Sequence, residues 1–176
     1  MHLRSRWAKL RKPQWFALLT ALIASLVLVP AFVTSSQAVS SAPTTIQFVA
    51  PDWLTANAKN PNLRILDVRT PPLDYIAGHV PGAVNIADPT FRGPNGFLPV
   101  QYWNPQKLGS IFSQSGVKNS SQVVVYSDGR DVLGATMVAY LLERSGVKNV
   151  AVLDGGFSGY KAAGRPVTKE FPRYQT

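Results

Sequence analysis

Val123-Val124-Val125-Tyr126-Ser127-Asp128-Gly129-Arg130-Asp131-Val132 is the stretch from which the fold can be read. Three β-branched residues and a tyrosine in a row leave no polar face. Such a run suits a central strand of a parallel sheet, which is covered on both sides. Ser127 to Asp131 then supplies glycine and small polar residues, the composition of a tight loop. Beyond it, Leu133–Arg144 reads as a helix, with Val132, Ala135, Ala139 and Leu142 along one side.

Working outward, short apolar runs alternate with helical patterns. Ile46–Val49, Leu63–Val68, Ala83–Ile86 and Val150–Leu153 read as further strands. Pro51–Ala58, the turn Leu73–Ala77, Pro105–Ser115 and Phe157–Ala163 read as helices; Leu108, Ile111 and Phe112 give the third of these its apolar face. Strands separated by helices predict an α/β fold: a five-stranded, mostly parallel sheet with helices on both faces, preceded by an N-terminal apolar helix. Asp88–Asn104, with Pro89, Pro94 and Pro99, reads as one long irregular connection. Its aromatics Phe91, Phe97, Tyr102 and Trp103 read as anchors of that loop on the core.

Four segments, in order, resemble the rhodanese domain, the sulfurtransferase module. They are Leu66-Asp67-Val68-Arg69, Gly78-His79-Val80-Pro81-Gly82-Ala83, the strand and loop 123–132, and Leu153-Asp154-Gly155-Gly156-Phe157 followed by Ala162-Ala163-Gly164-Arg165-Pro166-Val167. The resemblance spans roughly residues 46–167. It implies a cysteine after the central strand, carrying sulfur as a persulfide. This chain contains no cysteine, and the position holds Ser127. Tyr126-Ser127-Asp128-Gly129 is more similar to the non-catalytic half of two-domain thiosulfate sulfurtransferases.

The resemblance makes Ser127, Asp128, Gly129, Arg130, Asp131 and Val132 a candidate binding loop, with Asp67 and Arg69 supporting it. In the family this loop turns backbone N–H groups inward, an arrangement that stabilises anions. Asp128 and Asp131 oppose an anion here, and Arg130 offsets part of their charge. Ser127 reads as a loop-stabilising residue, since the chain lacks a G-x-S-x-G elbow and residues 39–176 hold one histidine, His79. Asp67 and Arg69 read as an ion pair tying the strand end to its neighbours, with bidentate anion binding as the alternative. His79 reads as structural, and Gly155-Gly156 as a tight strand-to-helix turn. No catalytic residue, metal or cofactor is expected: two histidines and no cysteine cannot build a His/Cys metal cluster.

The N-terminus has its own character. Arg4, Arg6, Lys9, Arg11 and Lys12 precede an almost continuously apolar run from Phe16 to Val33, and Ser36-Gln37-Ala38 fits a small-x-small cleavage site. Residues 1–38 therefore read as an export signal or, if uncleaved, a membrane anchor through residues 16–33. Residues 39–45 read as a linker, 46–170 as the domain and 171–176 as a tail. The chain's +9 charge is uneven: residues 1–38 hold five of the 18 basic residues and none of the nine acids, leaving +4. Nothing in that remainder suggests nucleic-acid binding. The expected function is a catalytically inactive rhodanese-like domain, exported or membrane-anchored and extracytoplasmic, acting as a binding or interaction module. The alternative is a sulfurtransferase-family protein that handles sulfur or anions without its own persulfide cysteine. The expected partners are a small anion or sulfur compound, or a protein.

Overall fold

The computed structural model describes residues 46–130 and 132–173. The expected export segment, the linker, Asp131 and the last three residues of the tail lie outside them. Among the described residues no helix is long and apolar enough to cross a membrane.

The chain runs through β1 (Gln47–Val49), α1 (Pro51–Ala56), β2 (Leu63–Asp67), α2 (Pro72–Ala77), β3 (Ala83–Asn85) and a 3-10 turn (Asp88–Phe91). It continues through β4 (Arg92–Asn95), β5 (Leu98–Tyr102), α3 (Pro105–Gln114), β6 (Gln122–Tyr126), α4 (Val132–Arg144), β7 (Asn149–Leu153) and α5 (Gly156–Ala162). Five strands form one sheet in the order β1-β7-β6-β2-β3, every pair parallel. The valine run lies at its centre, with Val124 level with Ile65 on β2 and Ala151 on β7.

Strand alternation divides the core in two. Val123 and Val125 share one face with Leu66 and Val152, under Leu108 and Phe112 of α3 and Val138 and Leu142 of α4. Val124 and Tyr126 share the other with Ile65 and Leu153, under Leu54 of α1 and Phe157 and Tyr160 of α5. Local signals start the helices. Pro51 and Pro105 open α1 and α3, where a missing N–H costs nothing. The Asn104 side chain also caps α3, accepting from the Lys107 N–H at 2.9 Å.

One expectation fails: the stretch 88–104 is the 3-10 turn followed by an antiparallel hairpin, β4 with β5. Gly96-Phe97 makes the turn, with Gly96 at φ +58°. Gly93 makes room for the Trp103 ring, since a Cβ there would lie 2.4 Å from it. Pro94 and Pro99 disguise these strands as loop. A ribbon outside the main sheet tolerates them, because edge positions need not donate. The aromatics split accordingly. Phe91 is buried and Trp103 packs on the core, its indole N–H donating to the Thr90 carbonyl. Phe97, at the hairpin tip, and Tyr102 are exposed.

Candidate functional site

The candidate loop leaves the carboxyl end of β6, the side of an open parallel sheet where ligands bind. Ser127 is buried, with 8% exposed. The loop is seated on the start of α5: the N–H groups of Phe157 and Ser158 donate to the carbonyls of Ser127 and Asp128, each at 2.9 Å. Glycine makes this approach possible. A Cβ on Gly129 would lie 2.1 Å from the Gly155 carbonyl oxygen, and one on Gly156 would lie 2.6 Å from the Gly129 nitrogen. Gly155 and Gly156 adopt φ of +66° and +56°, the tight turn expected of that pair.

Behind the loop lies a buried polar network. Asp67, at the end of β2, is fully buried and accepts from Arg69 through the guanidinium: Nη2 to Oδ2 at 2.6 Å and Nε to Oδ1 at 3.0 Å. Arg69 Nη2 also donates to the Gly78 carbonyl at 2.9 Å. The Tyr126 hydroxyl donates to Asp67 Oδ2 at 2.8 Å and accepts from the Val80 N–H at 3.2 Å. Asp67 and Arg69 are therefore the expected ion pair, and it ties together the ends of β2 and β6 and the turn before β3. The guanidinium lies over the Phe157 ring, 4.0 Å from its centre. Burial pulls Arg69 down, but the hydrogen bonds and charge of Asp67 outweigh it and hold the guanidinium above its ordinary value.

Burial, with the charge of Asp67, pushes the Tyr126 phenol far above its ordinary value. A folded-state value above the unfolded one of about 10 gives stability that is complete below that pH and lost as pH rises past it. We expect stability to fall above pH 10 and Tyr126→Phe to flatten that fall, as measured by urea unfolding across pH 8–11. An unchanged slope in the variant would contradict this. His79 is structural, as expected: it is fully buried, its ring nitrogens 2.8 Å from the Tyr75 carbonyl and 3.1 Å from the Glu170 carbonyl, and its ring stacks on Tyr75.

In front of the loop, Arg130 donates to Asp128 Oδ2 from Nε at 3.1 Å and from Nη2 at 2.8 Å, and Ser158 Oγ donates to Asp128 Oδ1 at 3.1 Å. The Arg130 hydrogen bonds hold the Asp128 carboxyl below its ordinary range; burial opposes them, and the Ser158 hydrogen bond adds to the lowering. The pair lines two clefts. One, of about 350 Å³, is lined by Arg69, Asp74, Asp128, Arg130, Ser158 and Lys161 among others. The second, of about 420 Å³, is lined by Ser127, Gly134 of α4, Asp88 and Arg92 together with residues of the first.

The structure thus gathers Asp67, Arg69, Ser127, Asp128 and Arg130 at one sheet edge, with Gly129 as a packing point. Val132, the first residue of α4, is about half exposed and lines neither cleft. Asp74, Ser158 and Lys161 also line the site, and sequence reading missed them. Their one signal was position, since Ser158 and Lys161 follow the Gly155-Gly156 turn.

Comparison with known proteins agrees with this architecture. Residues 50–163 match the profile of the family described as the rhodanese-like domain. A protein of Synechococcus elongatus, provisionally assigned as a thiosulfate sulfurtransferase, is 60% identical over 99% of this chain and 54% of its own length. The 3-mercaptopyruvate sulfurtransferase of Escherichia coli is 27% identical over 66% of this chain and 44% of its own. The crystal structure of the Escherichia coli 3-mercaptopyruvate sulfurtransferase SseA superimposes with a TM-score of 0.65 at 26% identity, covering 73% of this chain and 53% of that one. The chain spans about half the length of the relatives it matches.

Proposed function

As this chain belongs to the family of rhodanese-like domains, we propose that it takes part in sulfur handling of the sulfurtransferase kind without forming a persulfide of its own. One observation carries the reading: the chain has no cysteine, while the loop that ends the central strand is seated on α5; the motif resemblance assigns Ser127 to the position of the family's nucleophile. A hydroxyl cannot store sulfur as a persulfide. The basic side chains nearest the loop are also engaged, Arg69 by Asp67 and Arg130 by Asp128. The domain then corresponds to the non-catalytic half of a two-domain sulfurtransferase, and the sulfur-bearing thiol belongs to a separate domain or chain. The sulfurtransferase relatives favour this reading over that of a general interaction module. Residues 1–38 support an extracytoplasmic location, with the protein secreted or held by residues 16–33.

The test is cyanolysis of thiosulfate. The purified chain is expected to produce no thiocyanate above a buffer control, and turnover by it would overturn the reading. A Ser127→Cys variant serves as the second arm. Slow turnover by that variant alone would place the missing step at this position.

A further inference from the structure

The β4–β5 hairpin turns its apolar side away from the protein. Gly93 lies under the Trp103 ring, which packs on the core. Gln101 pairs with Gly93 and shares its face, so strand alternation points Leu98, Val100 and Tyr102 the other way, into solvent. They are 52%, 54% and 38% exposed, and Phe97 at the tip is fully exposed. An antiparallel ribbon in water normally does the reverse, with apolar side chains in and polar ones out. Charge is missing as well. The 14 residues from Gly93 to Gln106 hold no Asp, Glu, Lys or Arg. Cations flank that run: Arg92, paired with Asp88, and Lys107, whose Nζ lies 3.2 Å from the centre of the Trp103 ring. Two cations and one acid leave the root of the hairpin positive.

We propose that this hairpin is a membrane-contact arm, seating Phe97, Leu98, Val100 and Tyr102 in the boundary layer of a phospholipid bilayer. Apolar side chains enter such a boundary by about 5–10 Å, while cations stay among the headgroup phosphates. The five residues of β5 span about 17 Å, enough to carry the tip into the acyl layer with the root still in water. Tyr102 then sits at headgroup depth, where tyrosine is favoured. A protein partner would call for polar groups that hydrogen-bond across the interface, and in this row only the Tyr102 hydroxyl can do so. The inference rests on the reading of residues 16–33 as a membrane anchor. Residues 34–45, the 12 between that segment and the first described residue, reach at most about 43 Å when fully extended. A tether this short keeps the domain at high effective concentration beside the bilayer, so a contact of four side chains suffices.

The absence of cysteine makes the test direct. Phe97→Cys and Lys148→Cys are each labelled with an environment-sensitive dye. The full chain is then reconstituted in vesicles of phosphatidylcholine and phosphatidylglycerol. Lys148, exposed just before β7, is the control. Spin-labelled lipid is expected to quench the dye at residue 97 several-fold more than the dye at residue 148, and to find the former blue-shifted. Adding Leu98→Asp and Val100→Asp should return the residue 97 dye to the control level. Both replaced side chains are more than half exposed, so the melting temperature should not change. Equal quenching at the two positions would overturn the proposal, as would quenching that survives the two aspartates. So would a blue shift at residue 97 without lipid quenching, which would mean that a second copy or another protein covers the face. The two readings fail differently. Release of the chain by an alkaline carbonate wash would overturn the anchor, whereas an unquenched residue 97 dye on a retained chain would overturn the arm alone.

Discussion

Arg69→Ala is expected to destabilise the domain by about 3–5 kcal/mol, the loss that follows when one partner of a buried ion pair is removed. For a domain of this size that is a fall in melting temperature of roughly 10–20 °C. Asp67 is fully buried, so the variant would leave its carboxylate, among the described residues, with only the Tyr126 hydroxyl and the residue 69 N–H as donors. It would also leave the Gly78 carbonyl without the guanidinium and strip a cation from the face of Phe157. The cost arises from the charge left behind, not from the net worth of the pair. Replacing both residues, as Asp67→Asn with Arg69→Met, should therefore cost less than the sum of the single changes, a coupling that a double-mutant cycle would measure. The exposed Asp52–Arg165 pair is the contrast, and breaking it should cost at most about 1 kcal/mol. A loss below about 1 kcal/mol in Arg69→Ala would show that the network is not the anchor of this sheet edge.

Gly129→Ala is expected to cost about 2–6 kcal/mol and to unseat the loop from α5. Two effects add. The residue sits at φ +107°, where a side chain costs roughly 1–3 kcal/mol. The new Cβ would also lie 2.1 Å from the Gly155 carbonyl oxygen, so rigid backbone would have to move, at a further cost of about 1–3 kcal/mol. Gly164→Ala separates the two effects. Gly164 has φ +68° and open space around its Cβ position, so that variant should lose only about 1–2 kcal/mol. Equal losses in the two variants, measured by urea unfolding, would mean that the close packing of the loop against α5 contributes nothing. Hydrogen exchange at the Phe157 and Ser158 amides would report the unseating directly, because both donate to loop carbonyls.

Strands and helices were legible because their signals are local. Val123 to Tyr126 has no polar face, and Leu108, Ile111 and Phe112 repeat at helical spacing, so each run states its own burial. The hairpin at Arg92–Tyr102 was not legible, because its prolines mimic a loop and its stability depends on Trp103 fitting over Gly93. At the site, motif order brought out Asp67, Arg69 and the loop but not how their charges are used. Local sequence suggested that Arg130 only partly offsets Asp128 and Asp131, yet the fork of Arg130 closes on Asp128. Ser158 lies 30 residues from Asp128 in sequence and reaches it only because β6 and β7 run side by side.

The sequence by itself determined the parallel α/β architecture, through period and composition, and the lack in this chain of any cysteine to carry a persulfide. Tertiary structure alone decided the state of the charged groups around the loop. An arginine is a free anion receptor or a spent one according to which carboxylate comes within about 3 Å, and that distance depends on the packing of elements far apart along the chain.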